Sequence, residues 1–147
     1  MTSSTTTAIA RYLYGIIFVV FGLNGFLHFL PMPPAPKAAA DFGGALMQTG
    51  YMFPFIKGTE VLAGLLLLAD LYVPLALTVL APIVLNILAF HAFLAPAGMP
   101  VPLLVLALEV FLAYQYRGVF APMLRARVAP SSSSAAVSAA SARRAAA

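Results

Sequence analysis

Residues 71–108 read LYVPLALTVLAPIVLNILAFHAFLAPAGMPVPLLVLAL and contain no Asp, Glu, Lys or Arg over 38 positions. A bilayer's hydrocarbon core takes about 20 helical residues, so this uncharged run is too long for a single crossing. It is interrupted at residues 96–102, PAGMPVP, where three prolines and a glycine in seven residues dictate a turn. The run therefore divides into two helices, over 73–94 and 102–117, with Pro82 placed to kink the first of them. Two further apolar runs precede it, over residues 12–30 and 51–69, the second broken only by Lys57, Thr59 and Glu60. Only helices and closed barrels satisfy every backbone group in lipid, and these runs lack the alternation of barrel strands.

The sequence thus predicts an all-α integral membrane four-helix bundle, with helices over 11–30, 51–69, 73–94 and 102–117. Composition agrees. Of the residues 63% are hydrophobic and 8% charged, with a mean hydropathy of +0.99. A soluble surface needs far more charge than that. The chain has no cysteine, which excludes disulfides, iron–sulfur clusters and thiolate metal sites. A net charge of +4 in so apolar a chain reads as a topology signal rather than a nucleic-acid surface.

Outside the 11–124 transmembrane domain, residues 1–10 read as a polar tail and 125–147 as a disordered Ala/Ser-rich tail. The first span is longer than a signal-peptide core and is followed by a proline-rich segment, so its retention is expected. Within the loop 31–50, residues 37–48 suit a short surface helix with Phe42, Leu46 and Met47 toward the membrane. Arg11 precedes the first span, and Arg117, Arg125 and Arg127 follow the fourth. The positive-inside rule then places both termini in the cytoplasm and the chain in an inner membrane as a multi-pass protein.

Polar groups in hydrocarbon are costly, so each one needs a reason. They are Asn24 and His28 on the first helix, Lys57 and Glu60 on the second, Asn86 and His91 on the third, and Glu109 on the fourth. Counted in from the outer helix ends, all fall in the outer half or near mid-depth. Asn24 and His28 share a face; Lys57 and Glu60 lie about 60° apart; Asn86 shares a stripe with Pro82 and Ala89, and Glu109 with Ala113 and Tyr116. Small residues beside polar ones suit interhelical seams. Asn24, His28, Lys57, Glu60, Asn86 and Glu109 are therefore the candidate ligand-binding residues, in a cluster open to the outer leaflet. His28, Lys57 or Asn86 would donate to the carbonyls of a quinone. Glu60 and Glu109 would exchange protons, Glu109 while bonded to Asn86 or Asn24. A metal or haem held by His28 and His91 is the weaker reading, because His91 lies about 140° round its helix from Asn86. Gly15, Gly22 and Gly25 form a face for close packing against a helix of this chain or of a partner, including a second copy.

Residues 21–29, FGLNGFLHF, and 57–68, KGTEVLAGLLLL, resemble the DoxX and DoxX-like family of small four-helix membrane proteins. Gly22, Gly25 and His28 match its first element; Glu60, Gly64 and the leucines at 65–68 match its second. The resemblance implies a subunit or accessory of a quinone-linked membrane redox system. It transfers no catalytic residue. The alternative expectation is a non-catalytic scaffold or assembly protein whose polar interior is purely structural.

Overall fold

Ser4 starts the first helix: its hydroxyl accepts from the Thr7 amide at 3.3 Å, satisfying one of the donors a helix start leaves open. In the computed structural model, which describes residues 4–31 and 34–128, helix α1 runs Thr5–Leu27. It begins in the segment read as a polar tail, because the cap makes a Ser/Thr run a helix start. It ends before the expected residue 30, because His28 turns left-handed (φ 52°) and donates its amide to the Asn24 carbonyl at 3.0 Å.

The remaining helices are α2 (Lys37–Gln48), α3 (Met52–Leu68), α4 (Val73–Phe93), α5 (Pro100–Gln115) and the four-residue α6 (Arg117–Phe120). Two 3-10 turns, Pro96–Gly98 and Ala121–Leu124, complete the described residues, which contain no strand. Helix α2 occupies the residues read as a surface helix, and α4 continues through Pro82. Helix α5 starts two residues earlier than expected, since a proline in a first turn has no ladder bond to lose. The expected tail beyond residue 128, and residues 1–3, lie outside the described residues.

The turn between α3 and α4 is Ala69-Asp70-Leu71-Tyr72. The Leu71 amide donates to the Leu66 carbonyl at 3.0 Å and the Asp70 amide to the Leu67 carbonyl at 3.3 Å. That is the paired bonding of a Schellman ending, with Asp70 (φ 56°) in the left-handed place usually taken by glycine. Tyr72 is also left-handed (φ 50°), and the chain reverses at once into α4.

Among the described residues, those up to Arg117 belong to one compact unit and 118–128 to another. In the first, α1 lies along α3, α3 pairs with α4, α4 with α5, and α5 returns to α1. Helix α2 meets α3 at 93°, and the Phe42 ring sits 5.8 Å from that of Phe90 on α4. Tyr14, Phe18, Leu67, Leu77, Leu80, Val84 and Leu112 are buried. The outside is apolar too: Phe55, Leu62, Leu85 and Val110 are exposed, and Phe93 is 84% exposed. So much contiguous apolar surface is foreign to a soluble monomer. Helices α1 and α4 are each long and apolar enough to cross a membrane. By length and composition the number rises to four if α2 with α3, and α5 with residues 117–124, are each one bent span.

Glycines set the α1–α3 distance. A Cβ on Gly64 would stand 2.9 Å from the Gly15 carbonyl oxygen and 2.8 Å from a Val19 methyl. One on Gly22 would stand 2.7 Å from a Val61 methyl, and one on Gly25 2.7 Å from the Lys57 stem. The glycine face of α1 is thus filled from within the chain, by α3.

Gly64→Ala is therefore expected to cost about 1–3 kcal/mol by overpacking, since the α1 backbone at Gly15 and Val19 bars the methyl. Gly58→Ala, with nothing within 4 Å of its Cβ, is expected to gain up to about 1 kcal/mol from helix propensity. Unfolding titrations in mixed detergent micelles, run on both variants, check the contrast.

Candidate functional site

Helices α1 and α3 run antiparallel, and their shared length carries polar groups at both ends. Near the start of α3, Lys57 Nζ donates to both Glu60 carboxylate oxygens, at 3.1 and 2.9 Å. The two residues are one turn apart on the same helix, and the Lys57 stem is laid over Gly25 of α1. Glu60 is 2% exposed, and its charge is matched on its own helix. The Lys57 side chain keeps 23% of its surface exposed. Asn24 lies at this end of α1, buried, and its Oδ1 accepts from the Leu30 amide at 2.7 Å. Its carbonyl oxygen is spent on holding the chain as it leaves α1. His28, four residues further on, is exposed at the helix end.

The opposite end holds groups that the sequence pattern does not join. The Arg11 guanidinium donates to the Leu67 carbonyl. Its Nε lies 3.3 Å from Asp70 Oδ1, within ion-pair range but off the angle of a hydrogen bond. Arg11 is 3% exposed, so it is a buried tie and not merely a flanking charge. It sits where the last carbonyls of α3 collect partial negative charge, which favours a cation. One turn along α1, the Tyr14 hydroxyl donates to Glu109 Oε2 of α5.

Glu109 therefore meets neither Asn86 nor Asn24. The expected amide partner is replaced by a phenol, because ranking charged and amide groups by depth passes over tyrosine. A signal was available: Arg11, Tyr14, Gly15, Phe18 and Gly22 recur at the spacing of one helix face, and all are buried.

Asn86 lies apart from both groups. The buried residues of α4 are Val73, Ala76, Leu77, Leu80 and Val84. Asn86, Pro82 and Ala89 are exposed on the other side. The small-and-polar stripe is present, but it faces away from the chain's interior. His91 donates from Nδ1 to the Ile87 carbonyl at 2.8 Å and packs on Gly98, where a Cβ would stand 2.7 Å from its ring. No group of three or more His, Asp or Glu among the described residues is placed to hold a metal ion.

The single cluster expected from depth is divided in the structure: Asn24, His28, Lys57 and Glu60 lie toward one end of α1 and α3, Glu109 meets Tyr14 toward the other, and Asn86 lies outside both. A groove of about 130 Å³ lies between α3 and α4, lined by Thr59, Leu62, Ala63, Leu66, Leu75, Ala76 and Val79. It is apolar and holds none of the candidate residues.

The Tyr14–Glu109 bond generates a test. Tyr14→Phe leaves a buried carboxylate without its donor and is expected to destabilise by about 1–3 kcal/mol. The double variant Tyr14→Phe/Glu109→Leu is expected to cost less than the sum of the two single changes, because it removes donor and acceptor together. A thermodynamic cycle measured by detergent-micelle unfolding checks this; strict additivity would show the pair uncoupled. No family model, curated protein or solved structure matches this chain.

Proposed function

We propose that the chain is a multi-pass protein of an inner membrane, with α1, α3, α4 and α5 as its four spans and both termini in the cytoplasm. It serves there as a non-catalytic structural subunit that works through assembly with other membrane components. One observation carries this reading: both buried carboxylates are committed to partners inside the chain, Glu60 to Lys57 and Glu109 to Tyr14. A catalytic or ligand site needs polar groups facing a space that a ligand enters, and the α3–α4 groove offers an apolar lining. The apolar exterior and the arginines flanking the first and last spans support the membrane placement.

A second reading keeps the quinone link, and Lys57 favours it. An ammonium has three N–H groups, Glu60 takes two, and the side chain is partly exposed. The remaining donor suits a quinone carbonyl. The resemblance of residues 21–29 and 57–68 to the DoxX family points the same way, toward a membrane redox complex as the assembly served.

Purification from native membranes in mild detergent, followed by mass spectrometry of lipids, cofactors and co-purified proteins, separates the readings. The structural reading expects stoichiometric partner chains and no bound quinone, with Glu109→Gln changing the assembly's activity by less than about twofold. Bound quinone that disappears in Lys57→Met would establish the second reading instead. For topology, a periplasm-active reporter fused at Ala147 is expected to be silent and a cytoplasm-active one to be active.

A further inference from the structure

We propose that residues 118–128 bind anionic phospholipid headgroups of the leaflet that the C-terminus faces, through Arg125 and Arg127. The proposal rests on the membrane placement above and goes beyond it by naming a lipid class as the partner of one segment.

Charge is the first observation. The chain has four acidic side chains, Asp41, Glu60, Asp70 and Glu109. Each has a partner: Asp41 pairs with Lys37 at 2.6 Å, Glu60 with Lys57 at 2.9 Å and Asp70 with Arg11 at 3.3 Å, while Glu109 accepts from Tyr14. No Asp or Glu follows Glu109 in the sequence. Arg125 and Arg127 are exposed, and neither side chain makes an ion pair or hydrogen bond among the described residues. Their charge is therefore matched from outside the chain.

The neighbours of the arginines select the partner. Water and small ions suit a guanidinium, but Val119, Met123, Leu124 and Val128 are 56%, 66%, 84% and 71% exposed. A short segment with these side chains and two free cations calls for a surface that is anionic and apolar at once. The boundary of a bilayer holding anionic lipids is such a surface, with phosphates outside and acyl carbons directly beneath. Arginine suits it doubly: its forked donors grip phosphate oxygens in pairs, and its stem lies along apolar surface. Sequence continuity supplies the encounter. At the foot of α5, Arg117 donates to the Tyr114 carbonyl at 2.9 Å and lies 4.4 Å over the Tyr114 ring, a pairing suited to the level where spans meet headgroups. The segment begins at the next residue. So short a tether makes its seating on that leaflet intramolecular, and a few contacts suffice.

The native chain has no cysteine, so Ala126→Cys, exposed between the two arginines, takes a single polarity-sensitive nitrobenzoxadiazole label. The labelled full-length chain is placed in nanodiscs of phosphatidylcholine, alone or mixed with phosphatidylglycerol. Nanodiscs present both leaflets, so the result does not depend on which side the termini face. With phosphatidylglycerol the label is expected to shift to the blue and resist quenching by acrylamide. The ratio of seated to free segment should rise about five- to thirtyfold over phosphatidylcholine alone, the worth of one to two surface arginines. Added salt should lower that gain by screening. Arg125→Gln/Arg127→Gln should abolish it, whereas Arg125→Lys/Arg127→Lys, which keeps the charge, should retain about fivefold or more. Unchanged circular dichroism verifies that the variants fold. Equal protection in the two lipids, a preference that survives the double glutamine variant, or a segment free in both discs overturns headgroup binding. Release by inorganic phosphate beyond that of sodium chloride at equal ionic strength overturns it too, in favour of a free-anion site. Each of these leaves the membrane placement standing; a chain that fails to enter nanodiscs overturns the placement itself.

Discussion

The architecture depends on how closely α1 and α3 approach. At Gly15 and Gly64 the two helices meet backbone to backbone: a Cβ on either would press on the other's carbonyl oxygen, at 3.0 and 2.9 Å. Such closeness multiplies dispersion contacts, which drive helix association where the surrounding solvent is itself apolar. It also fixes register, because a slip of one turn would bring Val61 or Leu68 onto backbone that only glycine leaves room for. Arg11 ties one end by reaching the last carbonyls of α3, and the Lys57 stem crosses Gly25 at the other. The other two long helices take their positions from this pair. The Schellman turn at Asp70 sends α4 back along α3, and the Tyr14 hydroxyl anchors α5 through Glu109.

The all-helical character of the chain, and where its apolar helices lie, were legible in the sequence because they derive from uninterrupted apolar runs and from proline and Asp-Leu-Tyr punctuation. Helix ends were less so. Ser4 and Pro100 show why: a hydroxyl that caps and a proline that tolerates a first turn both resemble loop residues in a linear reading. On α1 the glycines at helical spacing marked a close-packing face, but whether the helix packed there came from this chain or a partner was not legible. The inward face of α4 was not legible either. Its sequence is apolar all round, so hydrophobicity carries no phase, and Asn86 with its small neighbours marked a seam without saying whether the seam was internal. Arg11 illustrates a different failure. A charge at the head of an apolar run normally snorkels to the interface, and only the three-dimensional placement of α3's C-terminus turns it into a buried tie.

Taken residue by residue, the polar inventory of the spans is almost entirely consumed within the chain. Asn24 accepts from the backbone that leaves α1; Lys57 and Glu60 neutralise one another; His91 is bound to its own helix; Glu109 and Arg11 secure α5 and α3 to α1. Each of these bonds satisfies a group that would otherwise destabilise the interior by its desolvation. Outward, the described residues present a broad apolar surface with polar groups set in it, among them the partly exposed Lys57 ammonium, His28 at the end of α1 and the Asn86 amide. The Asn86 amide, exposed on α4 with no hydrogen bond from the described residues, stands outside this internal network.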